Sequence, residues 1–244
     1  MESFENKEVL VKFISLNQEQ TSEQIKLIEK ISEATNNQTP VYLSDRKSND
    51  ETLIDLQKYL FENYGVLLER KTGEFYEVLS KKIISKNIII NKEQIMRLSF
   101  VIEGKISESR GYSSEKLFKQ YPLPRINFED LYTIIKIYRT IESFLQKTRS
   151  QDEKFRVSEF GYGLKYGKYA IVYAIFTLLK RSANNSANDY NTVVNLVRGK
   201  WLDFENTVSN KESNEDYFGE SFDYVNYYKG KTINEDLPDY LNNL

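Results

Sequence analysis

Asn127-Phe128-Glu129-Asp130-Leu131-Tyr132-Thr133-Ile134-Ile135-Lys136-Ile137-Tyr138-Arg139-Thr140-Ile141-Glu142-Ser143-Phe144-Leu145 is the stretch that sets the fold. Leu131, Ile134, Tyr138, Ile141 and Leu145 recur at spacings of 3, 4, 3 and 4, which places them on one side of an α-helix as a packing seam. Asn127 supplies its cap. Helical spacing continues toward the C-terminus. Gly161, Gly163 and Gly167 mark a bend, residues 166–179 form a nearly all-apolar helix, and residues 184–188 are a polar loop. Val193, Val197, Trp201, Phe204 and Val208 then stripe one more long helix, and from Lys211 onward the chain is acidic, aromatic and rich in Asn.

Toward the N-terminus the pattern changes. Residues 8–16 are apolar on both faces and predict a buried strand. Thr21-Ser22-Glu23-Gln24 reads as a capping box for a helix that carries Ile25, Leu27, Ile28, Ile31 and Ala34 and stops near Asn36, before Pro40. Ser48-Asn49-Asp50 caps a second helix over 51–63, with Leu53, Leu56 and Leu60 inward and Gly65 as its stop. Residues 66–70 are extended, Lys71-Thr72-Gly73-Glu74 reads as a hairpin turn into a strand at 74–78, and 86–90 is a further strand. Asn91, with Gln94 three residues on, caps a helix through Ile95, Leu98 and Ile102 that ends at Gly104. A shorter helix over 113–119 precedes the break at Tyr121-Pro122 and Pro124. The expected class is α+β and mostly helical, with a small sheet (strands near 8–16, 66–70, 74–78 and 86–90) and a C-terminal helical bundle. The expected organisation is an α+β portion at 1–121, a helical portion at 122–210 packed on it, and an acidic aromatic tail at 211–244.

Composition narrows the chemistry. With 244 residues, 40% of them hydrophobic and 29% charged, the chain suits a globular protein with a substantial core. The net charge of -2 conceals an asymmetry: residues 212–244 hold 8 acidic against 2 basic residues, leaving 32 basic against 28 acidic in the body. A mildly basic body permits nucleic acid without demanding it. There is no Cys and no His, which removes disulfides, thiol nucleophiles, the usual zinc sites and the commonest general base near neutral pH. The longest apolar run, 169–179, is about half of the roughly 20 residues that cross a bilayer, so no membrane partner is expected. The first residues carry no basic segment followed by an apolar one, and a cytoplasmic location is the expectation.

Three polar clusters fall at element ends, where scaffolds place function. Asn36-Asn37-Gln38-Thr39 presents amides that donate and accept together, as contact with a base edge or a sugar–phosphate requires; the structural reading is that they cap a helix and tie a loop. Arg46, Lys47, Asn49 and Asp50 stand where a loop enters a helix and can hold an anion, or can simply start that helix. Glu69-Arg70-Lys71 resembles the acid-x-lysine element of PD-(D/E)xK nucleases, with Asp50 19 residues upstream as a second acid. In that alternative Asp50 and Glu69 hold Mg²⁺ and Lys71 steadies the scissile phosphate. The structural reading makes Glu69 and Lys71 an exposed pair on one strand face, with Glu74 opposite Arg70 across the turn. Lys81, Lys82, Lys86, Arg110, Arg125, Lys136, Arg139, Lys180 and Arg181 form either a basic face or an ordinary solvated surface. The aromatics of the tail either dock on a basic surface or complete the core.

Asn36-Asn37-Gln38-Thr39-Pro40-Val41, Asp45-Arg46-Lys47-Ser48-Asn49-Asp50 and Glu69-Arg70-Lys71-Thr72-Gly73-Glu74-Phe75, in that order after a strand and a helix, resemble a region of the abortive-infection phage-resistance family known as AIPR proteins. The resemblance runs from about Val9 to Tyr121. It implies a bacterial phage-defence role and marks Asn36, Asn37, Gln38, Thr39, Arg46, Asn49, Asp50, Glu69, Arg70, Lys71 and Glu74 as binding residues without assigning them chemistry. Family members often carry an N-terminal region with a Val-Asn-Gly-Cys-Gln-Thr-like segment that this sequence lacks, so the chain is similar to their C-terminal portion, with that N-terminal region as an implied partner. The reading that follows is a non-catalytic module that binds nucleic acid or a phage or host protein, needs no cofactor, and has an open oligomeric state. The alternatives are the Mg²⁺-dependent nuclease and a structural oligomerisation domain built on the 131–145 seam or the 166–179 helix.

Overall fold

A side-chain cap opens the first of the described helices in the computed structural model, which describes residues 50–120, 122–149, 159–183, 190–213 and 222–244, all within one unit, Leu43–Leu244. Asp50 accepts from the Thr52 N–H at 3.0 Å and starts α1 (Glu51–Tyr64). Leu53, Leu56 and Leu60 are buried along one side of α1, and left-handed Gly65 ends it with its N–H on the Phe61 carbonyl. β1 (Leu67–Glu69) comes next, then α2 (Tyr76–Ser80) and β2 (Ile89–Asn91). The two strands pair in parallel, with Leu67 opposite Ile89, Leu68 opposite Ile90 and Glu69 opposite Asn91. Leu68 and Ile90, the middle residues, are the buried ones.

The helical majority begins at Asn91. Its Oδ1 accepts from the Gln94 N–H at 2.8 Å while its own N–H faces Gln94 Oε1 at 3.4 Å, so the capping box starts α3 (Lys92–Ile102) as the sequence predicts. There follow α4 (Ile106–Gly111), α5 (Ser114–Gln120), α6 (Phe128–Arg149), α7 (Gly163–Tyr166), α8 (Lys168–Ala183), α9 (Tyr190–Ser213), α10 (Tyr224–Tyr227) and α11 (Ile233–Asn242). α8 sits at the centre and packs against α3, α4, α6, α9 and α11, which is why it is apolar all round: Ala170, Ile171, Val172, Ala174 and Ile175 are all buried. α6 lays Leu131, Ile134, Tyr138 and Ile141 into the same core. The apolar sides of both stretches are thus spent inside the chain, which argues against an oligomerisation domain built on either.

The fold is a mostly helical α+β structure with a small sheet, as expected from the sequence, but the sheet differs in detail. The strand expected at 74–78 is instead helix α2, and the expected hairpin does not form. The reason is local. Glu74 Oε2 accepts from the N–H groups of Arg70, at 2.8 Å, and Lys71, at 3.3 Å, so the donors at the end of β1 are taken by the turn's own side chain. The strands expected at 66–70 and 86–90 shorten to β1 and β2, the latter preceded by a 3₁₀ turn at Lys86–Ile88. The strand expected at 8–16 and the helix after it lie outside the described residues. In the tail, Ile233, Leu237 and Leu241 bury one side of α11, and Tyr227 and Tyr228 join the core. Tyr217 and Phe218 lie outside the described residues. Among the described residues no helix is long and apolar enough to cross a membrane.

Candidate functional site

The 69–74 turn draws together four of the residues that the sequence singles out. Glu69 ends β1 and its Oε1 accepts from the Gly73 N–H at 3.0 Å. Gly73 holds φ +80, a left-handed backbone that only glycine adopts without strain, and this brings Glu74 back over the turn onto the Arg70 and Lys71 N–H groups. Both carboxylates therefore serve the turn's own backbone. The cations diverge: Arg70 Nε donates to Gln57 Oε1 at 2.8 Å, whereas the Lys71 side chain is exposed. Gln57 is the hub that sequence reasoning misses. From the middle of α1 it donates through Nε2 to the Leu68 carbonyl at 2.8 Å and lies 3.4 Å from Glu74 Oε1, tying helix, strand and turn together. The only signal in the sequence is a polar residue beside the Leu53, Leu56 and Leu60 stripe.

Asp50 is the N-cap of α1. Asn36, Asn37, Gln38, Thr39, Arg46, Lys47 and Asn49 lie outside the described residues. The Mg²⁺ alternative requires one ion to touch both Asp50 and Glu69 at about 2.0 to 2.1 Å. One oxygen of each is committed to a backbone N–H, on Thr52 and Gly73 respectively. Among the described residues no group of three or more acidic side chains is arranged to hold a metal.

The wider set of cations is mostly spoken for. Arg110 donates to the Tyr166 carbonyl, Arg139 to the Ile89 carbonyl at 3.4 Å, and Arg181 to the Leu241 carbonyl at 2.6 Å. Lys180 pairs with Asp130 at 2.7 Å, and Lys136 lies over the Tyr132 and Tyr190 rings. These five are structural, which leaves Arg125 and the group Lys81, Lys82 and Lys86 from that list.

A second carboxylate node lies inside the protein and has no forerunner in the sequence reading. Glu205 on α9 is 2% exposed and accepts from the Tyr162 N–H at 3.0 Å, the Gly163 N–H at 2.7 Å and the Tyr228 hydroxyl at 2.7 Å. Trp201 Nε1 donates to the same hydroxyl at 3.2 Å. Burial raises the Glu205 carboxyl above its ordinary 4.5, against the lowering effect of these donors. It also drives the Tyr228 hydroxyl well above 10.0. The glycines explain how the chain fits: Gly161 is left-handed at φ +53, and a Cβ on Gly163 would overlap the Trp201 indole. The glycine set is thus a close-packed connection.

A mostly helical α+β protein whose polar turn stands on a small parallel sheet is the class that these features define. A model of the AIPR protein family matches residues 2–220, and the chain belongs to that family, the abortive-infection phage-resistance proteins. The match extends well past the Tyr121 limit of the motif resemblance. No curated protein and no solved structure matches the chain.

Proposed function

We propose that the chain acts in abortive infection as a binding module whose contact surface is built on the 69–74 turn, and that its ligand is nucleic acid. The observation that carries this reading is the division of labour in the turn. Glu69 and Glu74 are turned onto backbone N–H groups, so their charge is partly absorbed by the turn, while Lys71 projects into solvent. Arg70 is positioned by Gln57 rather than left to wander, which lowers the entropy cost of an ordered contact. The polar residues at 36–39 and 46–50 are further candidate contact residues of the chain in this proposal. A protein partner, from phage or host, is the competing ligand.

Equilibrium binding of the full chain to nucleic acid across salt concentrations tests the proposal. Phosphate contacts release counterions, so affinity falls steeply with salt, and Arg46→Ala, Arg70→Ala and Lys71→Ala each flatten that dependence. Binding unchanged by all three substitutions, or no binding at any salt, removes nucleic acid as the ligand of this surface.

A further inference from the structure

The excursion that joins β1 to β2 is the least buried part of the described chain. From Glu69 to Ile89 no residue is buried, although β1 and β2 are adjacent and pin both ends to one place on the body. The segment is therefore a protrusion with a fixed base. It carries Tyr76 at 73% and Ile83 at 67% exposure, the two most exposed large apolar side chains among the described residues. Among those residues Tyr76 has no aromatic neighbour, in contrast to Tyr64 and Tyr132, whose rings stack at 3.4 Å.

Charge points the same way. Lys81, Lys82 and Lys86 are exposed, and among the described residues none has a carboxylate, hydrogen-bond or ring partner for its ammonium. Elsewhere Lys105, Lys119, Lys168 and Lys180 each reach a carboxylate at 2.5 to 2.7 Å. No acidic residue occurs from Val78 to Asn91. Glu74 is turned onto its own backbone, and Glu77 is the one carboxylate on the protrusion that faces solvent without a partner among the described residues. Lys82 stands at φ 56 just past the end of α2, where Ile83 N–H reaches the Val78 carbonyl at 2.9 Å. That helix-ending position is ordinarily held by glycine, which adopts the left-handed conformation freely, and a lysine is strained there.

We infer that the protrusion is a platform for single-stranded nucleic acid, with Tyr76 stacking on a base, Ile83 packing beside it, and Lys81, Lys82 and Lys86 neutralising the adjoining phosphates. This rests on the nucleic-acid reading above and names the strand type and a separate set of residues. An exposed ring without an aromatic neighbour, on the same short protrusion as exposed cations, is the combination that binds single strands without sequence preference. Duplex is the poorer fit, because its base faces are hidden within the stack and α2, with 5 residues, is too short to lie along a groove.

The test measures binding of the full chain to an oligothymidylate of about 20 nucleotides and to the corresponding duplex, between about 50 and 200 mM salt. The expected result is tighter binding of the single strand. Substituting Lys81→Ala, Lys82→Gly and Lys86→Ala together reduces the steepness of the logarithmic salt dependence by about 2. Tyr76→Ala weakens binding about tenfold and leaves the salt dependence unchanged. The melting temperature of the triple variant stays at or above that of the parent, since the segment is unburied and Lys82→Gly relieves a left-handed lysine, so a lost ligand is not mistaken for a lost fold. Equal affinity for duplex overturns the inference, as does binding that ignores the triple variant and Tyr76→Ala. If binding depends on Arg70 and Lys71 but not on these four residues, the turn proposal stands and the platform falls. Failure to bind either nucleic acid while anionic phospholipid vesicles are bound overturns both and assigns the protrusion to a membrane surface.

Discussion

Two carboxylates in this protein do the same thing in opposite surroundings. Glu205 and Glu74 each accept from two successive backbone N–H groups, those of Tyr162 and Gly163 in one case and of Arg70 and Lys71 in the other. Glu205 reaches across 42 residues to Gly163 and is buried beneath Tyr228 and Trp201. Glu74 reaches back 4 residues to Arg70 and is exposed. The contact is similar and its consequences are not: in the interior no water replaces a lost acceptor, whereas at the surface water does so at once. The first node closes a scaffold, and the second shapes a surface that stays available to a ligand.

Removing the interior acceptor is expected to have the largest effect. Glu205→Ala leaves the buried Gly163 N–H, the part-buried Tyr162 N–H and the buried Tyr228 hydroxyl without this acceptor, and a loss of about 3 kcal/mol or more is expected in chemical denaturation. Gly163→Ala comes next, at about 1 to 3 kcal/mol, because the added methyl meets the Trp201 indole. Glu74→Ala is expected to cost less than about 1 kcal/mol, as for an exposed cap, while altering ligand binding. A Glu74→Ala variant as unstable as Glu205→Ala would erase the distinction between the two nodes.

Protonation separates them further. Burial raises the Glu205 carboxyl, so the folded state binds this proton more readily than the unfolded state, and the contribution of Glu205 to stability increases as pH falls through its folded value toward 4.5. Glu93 and Glu108 run the other way. Burial alone would raise both, but Ser114 and Arg97 hold the Glu93 carboxyl below 4.5, and Asn234 and Ser107 hold that of Glu108 below it. The stability they contribute is present above about 4.5 and lost as pH falls through their lower folded values. Between neutral pH and about 4.5 the melting temperature of the parent is expected to rise relative to that of Glu205→Gln, which has no group titrating at this position; a fall relative to it would reverse the sign.

Among the described residues, helices were legible where an apolar period or a cap marked them. Asn91 with Gln94, the 131–145 seam and the Val193, Val197, Trp201, Phe204 and Val208 stripe all appear in the structure where the sequence puts them. What the sequence hid depends on tertiary contact. The hairpin expected after Gly73 failed because Glu74 consumes the donors that a second strand needs, and nothing in a turn signature distinguishes those outcomes. Gln57 and Glu205 are single polar residues beside apolar stripes, and their partners lie far along the chain. α11 carried a signal in Ile233, Leu237 and Leu241, spaced by four, but Pro238 within it reads as a helix breaker. Of the candidate site, Glu69, Arg70, Lys71 and Glu74 converge on one turn, and Asp50 caps the helix that supports it.

Hydrogen–deuterium exchange of the full chain, with and without a single-stranded oligonucleotide, puts both nodes in one experiment. The account predicts ligand-induced protection across residues 69–91, with the Tyr162 and Gly163 amides slow and unchanged because Glu205 already holds them. Protection appearing around 159–163 and 201–205 while 69–91 exchanges as before would contradict it.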